Sequence, residues 1–326
     1  MSLKKLVVEL TNICNLQCDY CFKEAGTSHL DIGLLQRLLE EARSWGASKV
    51  TYTGGEIALY PQLEEVFQRT AALGYRYAVV TNGWHFDRLL PLLSRTRSAL
   101  KHVFFSLDSA SEPQHDSVRG KGSYRRIMGG ATSCVEHNLP FSFLVVVNQR
   151  NYQEMQSLAE LVSRLGGKGV TFGHMLPTSN TLDQQLSLTD QQRRSAEAES
   201  RRLNGLLDII VSFSASATNE GSVCCEPLAG RTVSVDCRGR VSLCCQLADY
   251  RGSTNRKDIV ADLNVVTFGT AYAGFLSLAL QQRMRRNNAL LSGDPMAKHP
   301  CDFCVSTMGK TEWRGKLDPA YTTAGA

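Results

Sequence analysis

Cys14, Cys18 and Cys21 stand within eight residues, directly after the apolar run 6–10. Thiolates that close can wrap one corner of an iron–sulfur cluster. A [4Fe–4S] site takes four ligands, so a three-cysteine loop leaves one iron open to something that is not protein. The same residues also suit half of a zinc site completed by a His or Cys from elsewhere, or buried structural thiols. A disulfide role fits poorly, because residues 1–5 are polar and no apolar signal segment follows.

A second set of thiols lies far along the chain: Cys224, Cys225, Cys237, Cys244, Cys245, Cys301 and Cys304, with Cys134 alone between the sets. Residues 233–236 and 240–243 read as a β-hairpin around 237–239. A hairpin brings Cys224 or Cys225 near Cys244, and a helical stretch, 271–291, leads on to Cys301-Asp302-Phe303-Cys304. Four metal ligands result: Cys225 (Cys224 being its alternative), Cys244, Cys301 and Cys304. Zinc and an iron–sulfur cluster both remain open on spacing alone. Two thiol sets suggest two metal sites on two domains, 1–218 and 219–326.

The chain has 326 residues, 43% of them hydrophobic, enough for a sizeable core. The formal net charge is only +5, with dispersed Lys and Arg, so nucleic acid is not expected as a partner. No apolar run reaches the roughly 20 residues of a membrane span. Eleven cysteines without a signal segment point to metal ligation in a reducing, cytoplasmic setting.

These residues need a scaffold. Alternation and short apolar runs predict strands at 6–10, 49–53, 75–81, 102–107, 141–147 and 170–174. Helical spacing predicts helices at 31–45, 61–74, 87–94, 123–137, 151–165 and 191–203. Six strands alternating with six helices argue for an α/β fold of parallel strands joined by right-handed crossovers. Eight such units close a barrel; six leave it open and partial. Sites in such folds lie at the carboxyl ends of the strands. Cys14, Gly54, Asn82, Asp108, Asn148 and His174 fall at or just past those ends. Gly54 and Gly55 permit a sharp bend and close approach of a ligand, and Glu56 beside them can accept from an ammonium group. Ser106 and Asp108 share one face of a strand. Each of these also has an ordinary reading as a turn, a cap or a packed polar residue.

Cys-x-x-x-Cys-x-x-Cys after a first strand, with the aromatic Tyr20 before the last Cys, resembles the signature of radical S-adenosylmethionine (SAM) enzymes. The resemblance implies a partial (β/α)6 barrel. It also implies that the amino and carboxylate groups of SAM chelate the open iron. One electron, from a flavodoxin- or ferredoxin-like donor, then yields a 5′-deoxyadenosyl radical. It further implies Glu56 at the SAM amino group, Tyr20 against the adenine, and Ser106 and Asp108 at the ribose. Asn82 lends a backbone contact, Arg119 reaches the carboxylate, and Asn148 joins the same cradle. His174 faces substrate or is a satisfied core histidine.

The second thiol set resembles the auxiliary-cluster domain of the SPASM and twitch subgroup. There a Cys precedes a hairpin, a Gly (here Gly239) lies five positions before the next Cys (Cys244), and a C-x-x-C closes the site. No cysteine follows Cys304, which implies one auxiliary [4Fe–4S] cluster of twitch type in a smaller hairpin and helix domain. Cys237 or Cys245 is then a candidate hydrogen donor to a substrate radical. With no peptide-recognition segment before residue 14, the expected substrate is a small polar metabolite and the expected outcome net oxidation. Epimerisation and peptide modification are the alternatives. A non-catalytic scaffold holding two zinc ions is the competing class.

Overall fold

The computed structural model describes residues 2–214 and 225–311. Its centre is a mixed sheet of ten strands. Seven run side by side and parallel in chain order: β1 (Lys5–Thr11), β2 (Lys49–Gly54), β3 (Arg76–Thr81), β4 (Leu100–Ser106), β5 (Phe141–Val147), β6 (Gly169–His174) and β7 (Ile210–Phe213). Six were expected. The seventh is short and sits in a polar stretch whose composition does not announce a strand. It is held by its register against β6, from Gly169↔Ile210 to Phe172↔Phe213.

The parallel order follows from the helices between the strands. α1 (Ile32–Ser44) is capped by the Asp31 side chain, which accepts from the Leu34 amide at 2.7 Å. It buries Leu34, Leu35, Leu38, Leu39 and Ala42. α2 (Leu63–Ala72), α3 (Phe86–Arg95), α4 (Glu112–Arg119), α5 (Ser123–Glu136) and α6 (Met155–Arg164) follow in the connections between the later strands. α7 (Ser179–Asp183) and α8 (Asp190–Leu203) precede β7. The helix-facing side chains, such as Val50, Tyr52, Tyr77, Val79, Val103 and Phe105, are buried. Along β2 and β4, residues on the other face, such as Thr51, Thr53, Phe104 and Ser106, stay half-buried. One face is therefore core, and the opposite face is less covered.

The hairpin at the second thiol set does not stand apart. Its first strand, β8 (Thr232–Val235), pairs in parallel with β1, from Lys5↔Thr232 to Val8↔Val235. β9 (Arg240–Ser242) and β10 (Ile259–Asp262) follow antiparallel and extend the sheet beyond β1. The long α9 (Phe268–Leu291) packs against α1, where Trp45 meets Tyr272 edge-on at 5.5 Å. α10 (Pro300–Thr307) carries the C-x-x-C pair. The expected boundary at 218/219 and Cys224 lie outside the described residues. No described helix is long and apolar enough to cross a membrane.

Candidate functional site

The cysteine loop leaves the carboxyl end of β1 and is clamped by the end of β2. The Gly55 amide donates to the Thr11 carbonyl at 2.7 Å, and the Glu56 amide donates to the Ile13 carbonyl at 2.8 Å. A Cβ on Gly54 would sit 2.1 Å from Thr11 O, and one on Gly55 would sit 2.1 Å from Ile13 O. Gly54 also takes a φ of +140°. The two glycines thus let two backbones meet, and the loop cannot seat against bulkier residues.

Cys14, Cys18 and Cys21 line one cavity at this end of the sheet, together with Gly54, Gly55, Glu9 and Lys23. Cys14 is exposed, and the other two are half-buried. Burial raises the Cys14 thiol and pushes the Cys18 thiol up to about 11. In the metal-free protein both are therefore held as neutral thiols, and a positive metal centre would have to draw off their protons.

Glu56 is completely buried. It accepts from the Ala58 amide, from the Thr81 hydroxyl at 2.7 Å and from the Asn82 amide at 2.7 Å. Burial raises its pKa against those three hydrogen bonds. Its side chain binds the end of β3 to the turn after β2. Asn82 passes the tie on: its Nδ2 donates to Asn15 Oδ1 at 3.0 Å and lies 3.9 Å from Cys14 Sγ.

Asp108 anchors the other side of the loop. Its Oδ2 accepts from the Tyr20 hydroxyl at 2.5 Å and from Arg119 Nε at 2.5 Å, and its Oδ1 accepts from the Val146 amide at 3.1 Å. The Arg119 guanidinium also lies 5.4 Å from the centre of the Tyr20 ring. Burial works against the Arg119 charge, but Asp108 outweighs it and the arginine is held protonated. Tyr20 therefore points inward and pins the loop to β4. Ser106 lies two residues earlier on the same strand, half-buried. Asn148 shapes a turn, its Oδ1 accepting from the Arg150 amide and its amide donating to Asn151 Oδ1. His174 meets Glu197 of α8 at 3.3 Å and packs on Phe213 at 4.6 Å.

Four contributors escaped the sequence reading. Glu9 pairs with Lys23, which also donates to the Ala248 carbonyl at 2.8 Å. Burial raises Glu9 to about 7 against the pull of Lys23. The visible signal for Glu9 is a carboxylate in the middle of an apolar strand. Asn151 donates to the carbonyls of Asp108 and Val146. His115 accepts from the Asp108 amide at 3.2 Å, and burial lowers its pKa to about 4. Neither Asn151 nor His115 carries any local sequence signal.

The second thiol set converges from three places. Cys225 opens the turn before β8, Cys244 follows β9, and Cys301 and Cys304 lie one helical turn apart on α10. All four are half-buried. The Cys301 thiol is raised first by burial and then by Cys304 and Cys225. Gln282 of α9 donates toward Cys304 Sγ at 3.5 Å. Cys245 lies beside Cys244, whose thiol donates to it and pulls it below the usual thiol value. Cys237 is buried, which pushes it up to about 12. Gly239 comes close to α1, where a Cβ would sit 2.4 Å from Leu34 Cδ2. Among the described residues no three His, Cys, Asp or Glu side chains close to the spacing of a single bound ion. Cysteine thiols are the donors that both iron–sulfur clusters and zinc take, so the donor type of the two sets suits either metal.

The segment after the hairpin ties the two thiol regions together. The Glu24 amide donates to the Asp249 carbonyl at 2.9 Å, and the Arg251 amide to the Phe22 carbonyl at 2.7 Å. Asp249 is in turn gripped by Arg238 and Arg240.

A three-cysteine loop at the carboxyl end of the first strand of a parallel sheet defines a class, and residues 8–162 match the Radical SAM superfamily model. The chain is 29% identical over 178 residues to the AdoMet-dependent heme synthase of Methanosarcina barkeri, covering 52% of this chain and 50% of that protein. It is 25% identical over 226 residues to the PqqA peptide cyclase of a Methylobacterium species, covering 63% and 58%. The chain thus spans about half the length of the curated relatives it matches. The fold resembles Streptococcus suis SuiB bound to S-adenosylmethionine, with a TM-score of 0.67 at 16% identity, over 85% of this chain and 68% of that one.

Proposed function

We propose that the chain is a radical SAM enzyme. In this reading Cys14, Cys18 and Cys21 hold a [4Fe–4S] cluster with an open iron. Cys225 (or Cys224), Cys244, Cys301 and Cys304 hold one auxiliary cluster of twitch type. The sheet of residues 1–218 acts as a partial barrel, and residues 219–326 serve as the auxiliary domain. The observation that carries this is the set of three thiols sharing one cavity on a loop clamped at both sides. When bound, the cluster and SAM supply a 5′-deoxyadenosyl radical that abstracts hydrogen from substrate.

The residues of this chain do the positioning. Gly54 and Gly55 bring backbone to the cavity wall, where it can meet SAM. Glu56, fixed by three internal donors that also tie it to Asn82, meets the SAM amino group. Asp108, Arg119 and Tyr20 hold the loop against β4, with Ser106 at the end of β4 and Asn148 just past the end of β5. His174 stands at the end of β6 with Glu197 to set its tautomer.

Net oxidation of a small polar metabolite is the first reading of the outcome, with Cys245 or Cys237 as hydrogen donor if the reaction is instead an epimerisation. A peptide substrate is the second reading. The similarity to the PqqA peptide cyclase supports it. Anaerobically reconstituted protein incubated with SAM and reductant should release 5′-deoxyadenosine. Release of methionine without deoxyadenosine would sink the proposal. Metal analysis should find about eight irons per chain; two zincs and no sulfide would favour the scaffold reading.

A further inference from the structure

The sheet has a second mouth, at the amino ends of the strands. Lys5, Lys49 and Arg76 are the first residues of β1, β2 and β3, Lys101 is the second residue of β4, and Lys168 directly precedes β6. All five line one cavity of about 310 Å³, and no acidic residue joins them. Its interior includes Ala78 and Phe104. His102 also lines it, but its ring nitrogens face the Ser142 hydroxyl at 2.5 Å and the Lys101 carbonyl at 2.9 Å. The charge therefore resides in the four lysines and the arginine. Among the ion pairs of the described residues, none uses any of the five. Lys101 is pulled down first by burial and then by the like charges of Lys49, Lys5 and Arg76.

Five like charges around one opening do not help a fold, because their repulsion opposes compaction. They suit a ligand that brings the missing negative charge. A phosphate group carries nearly two charges and three acceptor oxygens, which lysines and an arginine fork bind well. The charges rim a concavity with apolar walls rather than a flat surface, which favours a small molecule over a protein face. SAM is not that ligand. It carries a sulfonium cation, and the cysteine loop lies at the far end of β1, about 20 Å away at the usual strand rise.

We propose that this amino-end mouth binds a phosphate-bearing small molecule, with its phosphates held by Lys5, Lys49, Arg76, Lys101 and Lys168. The site is independent of the reaction at the other end.

Calorimetric titration of the reconstituted protein with tripolyphosphate tests it. Saturable one-to-one binding is expected, weakening at least tenfold between 50 and 200 mM salt. A Lys49→Gln/Lys101→Gln double variant should lose at least tenfold in affinity, and Lys298→Gln, on a distant exposed turn, should lose none. Equal losses in both variants, or no saturable binding at 50 mM salt, would overturn the assignment. So would tighter binding of a polyglutamate peptide than of tripolyphosphate, which would make the mouth a protein-docking face. The double variant should melt no lower than the parent. A lower melting temperature would mean that the cations serve the fold, and would also overturn it.

Discussion

Cys14, Cys18 and Cys21 come from a single loop, whereas Cys225, Cys244, Cys301 and Cys304 come from a turn, a strand end and a helix spread over the last third of the chain. The first set needs only a clamp. Two glycines hold it from β2, and Tyr20 with Asp108 holds it from β4. The second set needs a whole assembly. β8 must pair with β1, α9 must lie on α1, and α10 must be drawn in, which the Arg193–Asp302 ion pair does from α8. Local sequence can build a three-ligand loop. A four-ligand closed site is a product of tertiary packing.

The difference can be broken in activity first. Cys18→Ala should abolish 5′-deoxyadenosine release, a loss of at least about 1,000-fold if the cluster chemistry supplies the barrier reduction. Cys301→Ala should keep that release while iron falls from about eight to about four per chain. Equal loss of deoxyadenosine in both variants would erase the proposed division of labour.

The clamp comes next. Arg119→Leu leaves Asp108 buried without its cation and should cost about 3–5 kcal/mol in urea unfolding. Gly55→Ala drives a methyl into the Ile13 carbonyl and should cost about 1–3 kcal/mol, with iron lost from the first set only. Iron lost from the second set instead would show that the two regions are not held separately.

A pH test reaches the clamp through His115, once the Glu9 titration in the same range is matched by comparing variant with parent. His115 is buried, and its pKa falls from 6.5 to about 4. The unfolded chain binds a proton there between these values and the folded one does not, so this group's share of stability is full above pH 6.5 and declines as pH drops toward 4. The span corresponds to about 3 kcal/mol. His115→Gln should flatten that part of the stability profile, as read by denaturant titration from pH 4 to 7. An unchanged slope would remove His115 from the account.

The smallest effect belongs to the second region. Asp302→Asn breaks a partly exposed pair and should cost about 1 kcal/mol or less in thermal unfolding.

Much of this was readable in advance. The strand at 141–147 and the helix ending at Leu203 stand where alternation and spacing put them. The loop cysteines, Gly54, Asn82 and Asp108 all lie at strand ends, because βα units place their loops there. What could not be read were partners distant in sequence. Glu56 was legible as a carboxylate by a glycine turn, yet its three donors come partly from β3. Tyr20 was legible as an aromatic beside a cysteine, yet it turns inward because Asp108 and Arg119 wait there. β7 was hidden because its pairing with β6, rather than its own composition, makes it a strand. The basic mouth was hidden because its cations are scattered singly along the chain.

The order of residues alone determined the three-thiol loop, the alternation of strands and helices, and the spacing of a second cysteine set. Those follow from local geometry, which a few neighbouring residues fix. Only the tertiary structure decided that the hairpin joins the sheet through β1, and that Asp108, Arg119 and Tyr20 meet. It alone decided that five separate cations ring one cavity, because contacts between residues far apart in sequence are set by how the whole chain buries its core.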